Sequence, residues 1–122
     1  MPETLSSSIE PLWAVTPEKV EGVVRRLAAL ARPRRIILFG SYAKSRGEGS
    51  APNDLDILVI AKGVVEDPYS ESVRLRRALS DIVMPMDILV AGESEWEILS
   101  RIPGLVFEQA AAHGRIVYES DG

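Results

Sequence analysis

Three aspartates stand out by their surroundings: Asp54 and Asp56 in Asn53-Asp54-Leu55-Asp56-Ile57-Leu58-Val59-Ile60, and Asp87 in Met86-Asp87-Ile88-Leu89-Val90. Side chains alternate between the two faces of an extended strand, so Asp54 and Asp56, two apart, share a face. Asp87 reaches the same point if its strand lies beside theirs. Converging carboxylates raise one another's pKa, and a divalent cation relieves that cost. Oxygen donors without cysteine or a nearby histidine favour a hard ion such as Mg²⁺, which keeps waters and takes further oxygens from phosphates. Two such ions about 3.5–4 Å apart clamp the attacking and leaving oxygens of a phosphoryl displacement. In that arrangement Asp54 and Asp56 bridge both ions. Asp87 holds the ion that acidifies an incoming hydroxyl and is the natural acceptor of its proton. Plainer roles compete: a capping or turn residue for Asp54, and half of a buried ion pair with an arginine for Asp56 or Asp87.

Gly40-Ser41 follows the apolar run Ile36-Ile37-Leu38-Phe39. Glycine lets backbone approach a ligand closely, and the amides of a tight turn opening a helix, with the Ser41 hydroxyl, can hold the β- and γ-phosphates of a nucleotide. An ordinary turn is the simpler account of a Gly-Ser pair, and its place ahead of the carboxylates makes it informative. The glycine spacing matches neither the Walker P-loop nor the dinucleotide fingerprint. Lys44 and Arg46 lie where a triphosphate would sit and are candidate phosphate contacts; solvated loop charges are the alternative.

The elements that must position these residues follow from pattern. Thr16-Pro17-Glu18 starts a helix, with Thr16 as N-cap and Pro17 at the first helical position. Val20, Val23, Val24, Leu27, Leu30 and Ala31 continue it as an apolar stripe, and it ends before Pro33. Residues 35–39 read as a strand buried on both faces. The stretch from Gly40 to Asn53 is the most loop-like of the chain, with a helical turn at 41–45. Residues 54–60 form the second strand. Asp67-Pro68 caps a helix running to about Ile82, residues 86–90 form the third strand, and 94–101 a short helix. Pro103-Gly104 breaks it, and a last helix over 105–113 is closed by Gly114 in the left-handed C-terminal position. Residues 115–119 read as a final edge strand. The order implies an α/β fold: a small mixed sheet flanked by helices, in one domain over residues 16–119 behind an N-terminal arm of residues 1–15. In the arm, Trp13 is expected as a hydrophobic anchor.

Composition excludes several classes. Of 122 residues 46% are hydrophobic and 26% charged, which places the chain among folded globular domains. A net charge of -4 argues against a broad basic surface for nucleic acid. With no cysteine there is no disulfide framework, thiolate metal site or cysteine nucleophile. The N-terminus lacks the pattern of a signal peptide and no apolar run is long enough to span a bilayer, so a cytoplasmic protein is the expectation.

Leu38-Phe39-Gly40-Ser41-Tyr42-Ala43, Asp54-Leu55-Asp56-Ile57 and Met86-Asp87-Ile88-Leu89-Val90 together resemble the signature of the DNA polymerase β nucleotidyltransferase superfamily. Within it the chain most resembles the minimal nucleotidyltransferases, from about Val15 to Tyr118. The resemblance implies two Mg²⁺ ions, ATP or another NTP as substrate, and transfer of a nucleoside monophosphate to a hydroxyl with release of pyrophosphate. By position, Gly40 and Ser41 match the family's phosphate-binding pair, Asp54 and Asp56 its shared metal ligands, and Asp87 its third carboxylate. Many members act as antitoxins beside a HEPN-family protein, some by adding AMP to its tyrosine. Two departures concern the loop. Lys44-Ser45-Arg46-Gly47 stands where a basic residue and a glycine usually follow directly, with about two extra residues before Asp54. Asn53 also stands where serine is common.

Arg74, Arg76 and Arg77 read as a solvated helix face, or as a contact for nucleotide or an acidic partner. His113, at a helix end, reads as structural, and Trp96 and Tyr118 as core or interface. A chain this small has no second domain to hold an acceptor, so a partner or a homodimer must supply those contacts. A non-catalytic module that neutralises a partner by covering it is the alternative function.

Overall fold

The computed structural model describes residues 12–45 and 54–120, with backbone only at 44 and 45. Thr16 opens the first helix, α1 (Pro17–Ala31), its side chain accepting from the Lys19 amide at 3.2 Å. Arg32 closes α1 in the left-handed conformation at φ 45°, and Pro33 prevents continuation. Strand β1 (Arg35–Phe39) follows, then the short helix α2 (Gly40–Ser45). After the undescribed loop come β2 (Leu55–Ala61), α3 (Pro68–Ala78), β3 (Met86–Gly92), α4 (Glu93–Leu99), α5 (Val106–His113) and β4 (Arg115–Glu119). No described helix is long and apolar enough to cross a membrane.

The four strands form one sheet in the order β3-β2-β1-β4. β1 runs antiparallel to β2 and to β4, while β2 and β3 are parallel. Helices cover both faces. On one, Val20, Val23 and Leu27 of α1 and Leu75 of α3 pack with Ile36, Leu38, Ile57 and Val59. On the other, Trp96 of α4 and Ala110 of α5 pack with Ile37, Phe39, Leu58 and Ile60. Trp96 is thus core, and Tyr118 packs against the first cluster. The near-continuous apolar sequence of β1 and β2 follows from this cover on both sides.

Several sequence expectations need correction. β2 begins at Leu55, leaving Asp54 just outside. The register pairs Leu55 with Met86, so the residue opposite Asp54 is Pro85, which has no N–H to continue the ladder. The third helix stops at Ala78, and residues 79–82 form turns. Gly114 is not left-handed: its φ is -77° and ψ 168°. Its need for glycine is steric, because a Cβ there would run into the Ala110 carbonyl oxygen and lie 2.6 Å from Ile37 Cγ2 and 3.1 Å from the Leu38 carbonyl oxygen. Trp13 does not anchor the arm; it is 62% exposed. The described end of the arm is tied instead by Lys19, whose ammonium donates to the carbonyls of Leu12, Ala14 (2.9 Å) and Val83 (2.8 Å). Residues 1–11 of the predicted arm lie outside the described residues.

Candidate functional site

Strand register builds the candidate site. Phe39 pairs with Asp56 across the antiparallel β1–β2 ladder, and Asp56 pairs with Asp87 across the parallel β2–β3 ladder. Directly opposite residues share a face, so one row runs Phe39, Asp56, Asp87 at the end of the sheet where β1 finishes and β2 and β3 begin. The next row on that face is Ile37, Leu58 and Leu89. Asp56 therefore stands half-buried above apolar neighbours, with Asp87 exposed beside it and Asp54 exposed just ahead of the strand. Its carboxyl is pushed above the ordinary carboxylate range, first by burial, then by the charges of Asp87 and Asp54. These are the desolvation and like-charge effects expected of acids gathered at one point.

Gly40 closes the site from the β1 side. It is the first residue of α2, with φ 76°. A Cβ there would lie 3.2 Å from Asp56 Cγ and inside any permitted contact with Oδ2. The bare backbone of Gly40 thus lies against the Asp56 carboxylate, a relation not visible in the sequence, where the two are 16 positions apart. Ser41 follows, exposed, and the buried Tyr42 and Ala43 fasten α2 to the core. The Lys44 side chain and all of Arg46, the remaining candidate phosphate contacts, lie outside the described residues.

The donor set is of the kind that a hard divalent ion takes. It is made of carboxylate oxygens, and among the described residues no lysine or arginine forms an ion pair with Asp54, Asp56 or Asp87. Within the described part of the chain, the arginine-pairing role considered for Asp56 and Asp87 has no support. The fit is one of chemistry and neighbourhood. Among the described residues no three or more acidic, histidine or cysteine side chains are grouped closely enough to hold a metal ion.

Beyond Asp87 the site opens into a groove of about 460 Å³, lined by Val73, Arg76 and Arg77 of α3 and by Met86, Asp87 and Ile88 of β3. Helical spacing and charge leave these arginines open as a solvated face or as a contact; the packing of α3 against the start of β3 brings two of them to a groove whose lining includes Asp87.

The nucleotidyltransferase domain model matches residues 18–114, most of the chain. A search of curated proteins finds no match. Among solved structures, a proposed nucleotidyltransferase from Sulfolobus solfataricus is 20% identical with a TM-score of 0.56, over 84% of this chain and 78% of that one. A toxin–antitoxin structure with AMP-PNP is 21% identical with a TM-score of 0.50, over 83% and 74%. A mutant MntA–HpeT toxin–antitoxin structure is 19% identical with a TM-score of 0.50, over 88% and 75%. At these identities the structural likeness speaks for the fold, while the match of the domain model speaks for kinship. With its strand order, its Gly40-Ser41 turn and its acidic row, the chain belongs to the nucleotidyltransferase domain family.

Proposed function

We propose that this nucleotidyltransferase moves a nucleoside monophosphate, AMP from ATP, onto a hydroxyl of a protein partner, and that it serves as the antitoxin of a toxin–antitoxin pair in the cytoplasm. The observation that carries the chemistry is the in-register pair Asp56–Asp87 with the Gly40 backbone against the Asp56 carboxylate. The similar toxin–antitoxin structure solved with AMP-PNP, an ATP analogue, supports the choice of nucleotide and of biological setting. A HEPN-family toxin is the proposed partner, on the resemblance to minimal nucleotidyltransferases.

In this reading Gly40 and Ser41 hold the phosphates, with Lys44 and Arg46 as further contacts from the loop. Asp54, Asp56 and Asp87 would hold two Mg²⁺ ions, which supply positive charge against the phosphate oxygens. Apolar neighbours beneath Asp56 keep it fixed and partly dry, which strengthens its hold on any cation. Asp87, exposed at the outer end of the row, faces the side from which an acceptor arrives. The acceptor oxygen bonds to the α-phosphorus as the bond to pyrophosphate breaks, and Asp87 accepts the hydroxyl proton.

The test is incubation with Mg²⁺, α-labelled ATP and the product of the adjacent gene. Label is expected on the partner and lost with Asp56→Asn. Absence of label, or equal labelling by Asp56→Asn, overturns the proposal. Full neutralisation of the partner by Asp56→Asn would favour non-catalytic covering instead.

A further inference from the structure

The groove beyond Asp87 has a charge pattern that the transfer chemistry does not use. α3 carries three arginines. Arg74 is held by Glu71 through two hydrogen bonds, at 3.0 and 2.6 Å, whereas Arg76 and Arg77 have no acidic partner among the described residues. Arg26, Arg34 and Arg35 are each paired, with Asp81, Glu93 and Glu119. Arg76 and Arg77 line the groove with Met86 and Ile88 on the α3 face of β3, and Asp87, between those two, alternates to the other face of the same strand edge.

The floor is not that of a nucleic-acid channel. Val73, Met86 and Ile88 give it apolar surface, and a second hollow of about 410 Å³, sharing Val73 and Arg77, extends it to the exposed Tyr69. β3 is also an edge strand, with no partner on its outer side among the described residues. An open strand edge offers backbone donors and acceptors to an extended peptide.

We propose that this groove receives an extended protein segment in which a hydroxyl residue is flanked by acidic ones, Arg76 and Arg77 holding the acids and the edge of β3 aligning the hydroxyl with Asp87. The inference rests on the transferase reading and names its acceptor class. Arg76 and Arg77 are thereby specificity determinants for the acceptor.

Binding is measured by fluorescence anisotropy at low salt, without nucleotide, using a short labelled peptide with one tyrosine among glutamates. The same peptide with lysines and a short oligoadenylate serve as comparisons. The acidic peptide is expected to bind the wild type, to bind Arg76→Glu/Arg77→Glu roughly tenfold more weakly, and to be replaced there by the lysine peptide. Arg77 is exposed, so Arg77→Glu alone keeps the comparison readable if the double variant fails to fold. Equal binding to wild type and variants, no binding to the wild type, or tighter binding of oligoadenylate each overturns the inference. Because no transfer is involved, failure here is separable from failure of the labelling experiment, which bears on the transferase reading.

Discussion

The contact between Gly40 and the Asp56 carboxylate makes a quantitative prediction. Gly40→Ala places a side chain at φ 76°, a left-handed conformation that costs an L-residue about 1–2 kcal/mol. The new Cβ also meets Asp56 Oδ2 and lies 3.2 Å from its Cγ. The carboxylate must turn out of its rotamer, at about 0.5–1.5 kcal/mol. The loss in the wild-type background is therefore about 1.5–3.5 kcal/mol, or roughly 3–6 °C of melting temperature per kcal/mol for a domain of this size. In an Asp56→Ala background the carboxylate is gone, and the remaining Cβ at 3.5 Å is an ordinary contact. Only the backbone cost of about 1–2 kcal/mol then survives. Urea unfolding of the four proteins gives the coupling energy, expected at about 0.5–1.5 kcal/mol. A value below about 0.3 kcal/mol, the level of simple additivity, would refute the claim that Gly40 is required by Asp56. In an otherwise intact Asp56 protein, Gly40→Ala should also lower nucleotide transfer by on the order of a hundredfold, because a reacting group displaced by about an ångström costs that much.

Other consequences follow from the same structure. Asp56→Asn removes a half-buried charge repelled by Asp87 and Asp54, so thermal melting without metal should rise even as transfer is lost; a lower melting temperature would contradict the electrostatic account. Asp67, the N-cap of α3, accepts from the Ser70 hydroxyl and amide, and these bonds hold its carboxyl below the usual range. Its stabilisation is present above the unfolded carboxylate pKa of about 3.9 and is lost as pH falls through the lower folded value. Asp67→Ala should therefore melt below the wild type at neutral pH, with the gap closing under acid; a gap independent of pH would count against it. Gly114→Ala should destabilise by about 1–3 kcal/mol through overpacking, and Gly114→Asn, which relieves left-handed strain where it exists, should be no better tolerated in denaturant unfolding.

The sequence was legible wherever one local rule governed the outcome. Thr16-Pro17 and Asp67-Pro68 announced helix starts, and the apolar run at 35–39 ended as a strand at Gly40 because glycine breaks the pattern there. Asp56 and Asp87 were conspicuous because charges inside apolar strands need a reason. What escaped were relations between distant segments. Alternation runs through Asp54 and carries it into the strand; the limit comes from Pro85, just ahead of the neighbouring strand. Gly114 carries the residue type of a left-handed cap, but its backbone is extended and the constraint is the Ala110 carbonyl of the preceding helix together with Ile37 across the sheet. The long side chain of Lys19 reads as solvent-exposed on a helix, yet its ammonium gathers three carbonyls from two distant parts of the chain. Trp13 looked like the anchor of the same segment and is largely exposed. The place of Arg76 and Arg77 in a groove along the start of β3 depends on how α3 lies over that strand, which no periodicity encodes.

The parallel pairing of β2 with β3 ties the site to completion of folding. Asp56 belongs to the first half of the chain and Asp87 to the second, with the whole of α3 between them. The two carboxylates become neighbours only when that crossover has closed in the right register. A slip of one residue would turn Asp87 to the opposite face and set Asp56 against an apolar side chain. A chain still emerging during synthesis, with Gly40 and Asp56 already made, therefore lacks the paired carboxylates. On the proposed transferase reading, competence arrives together with the native sheet, and a half-made or misregistered molecule is inert rather than indiscriminate.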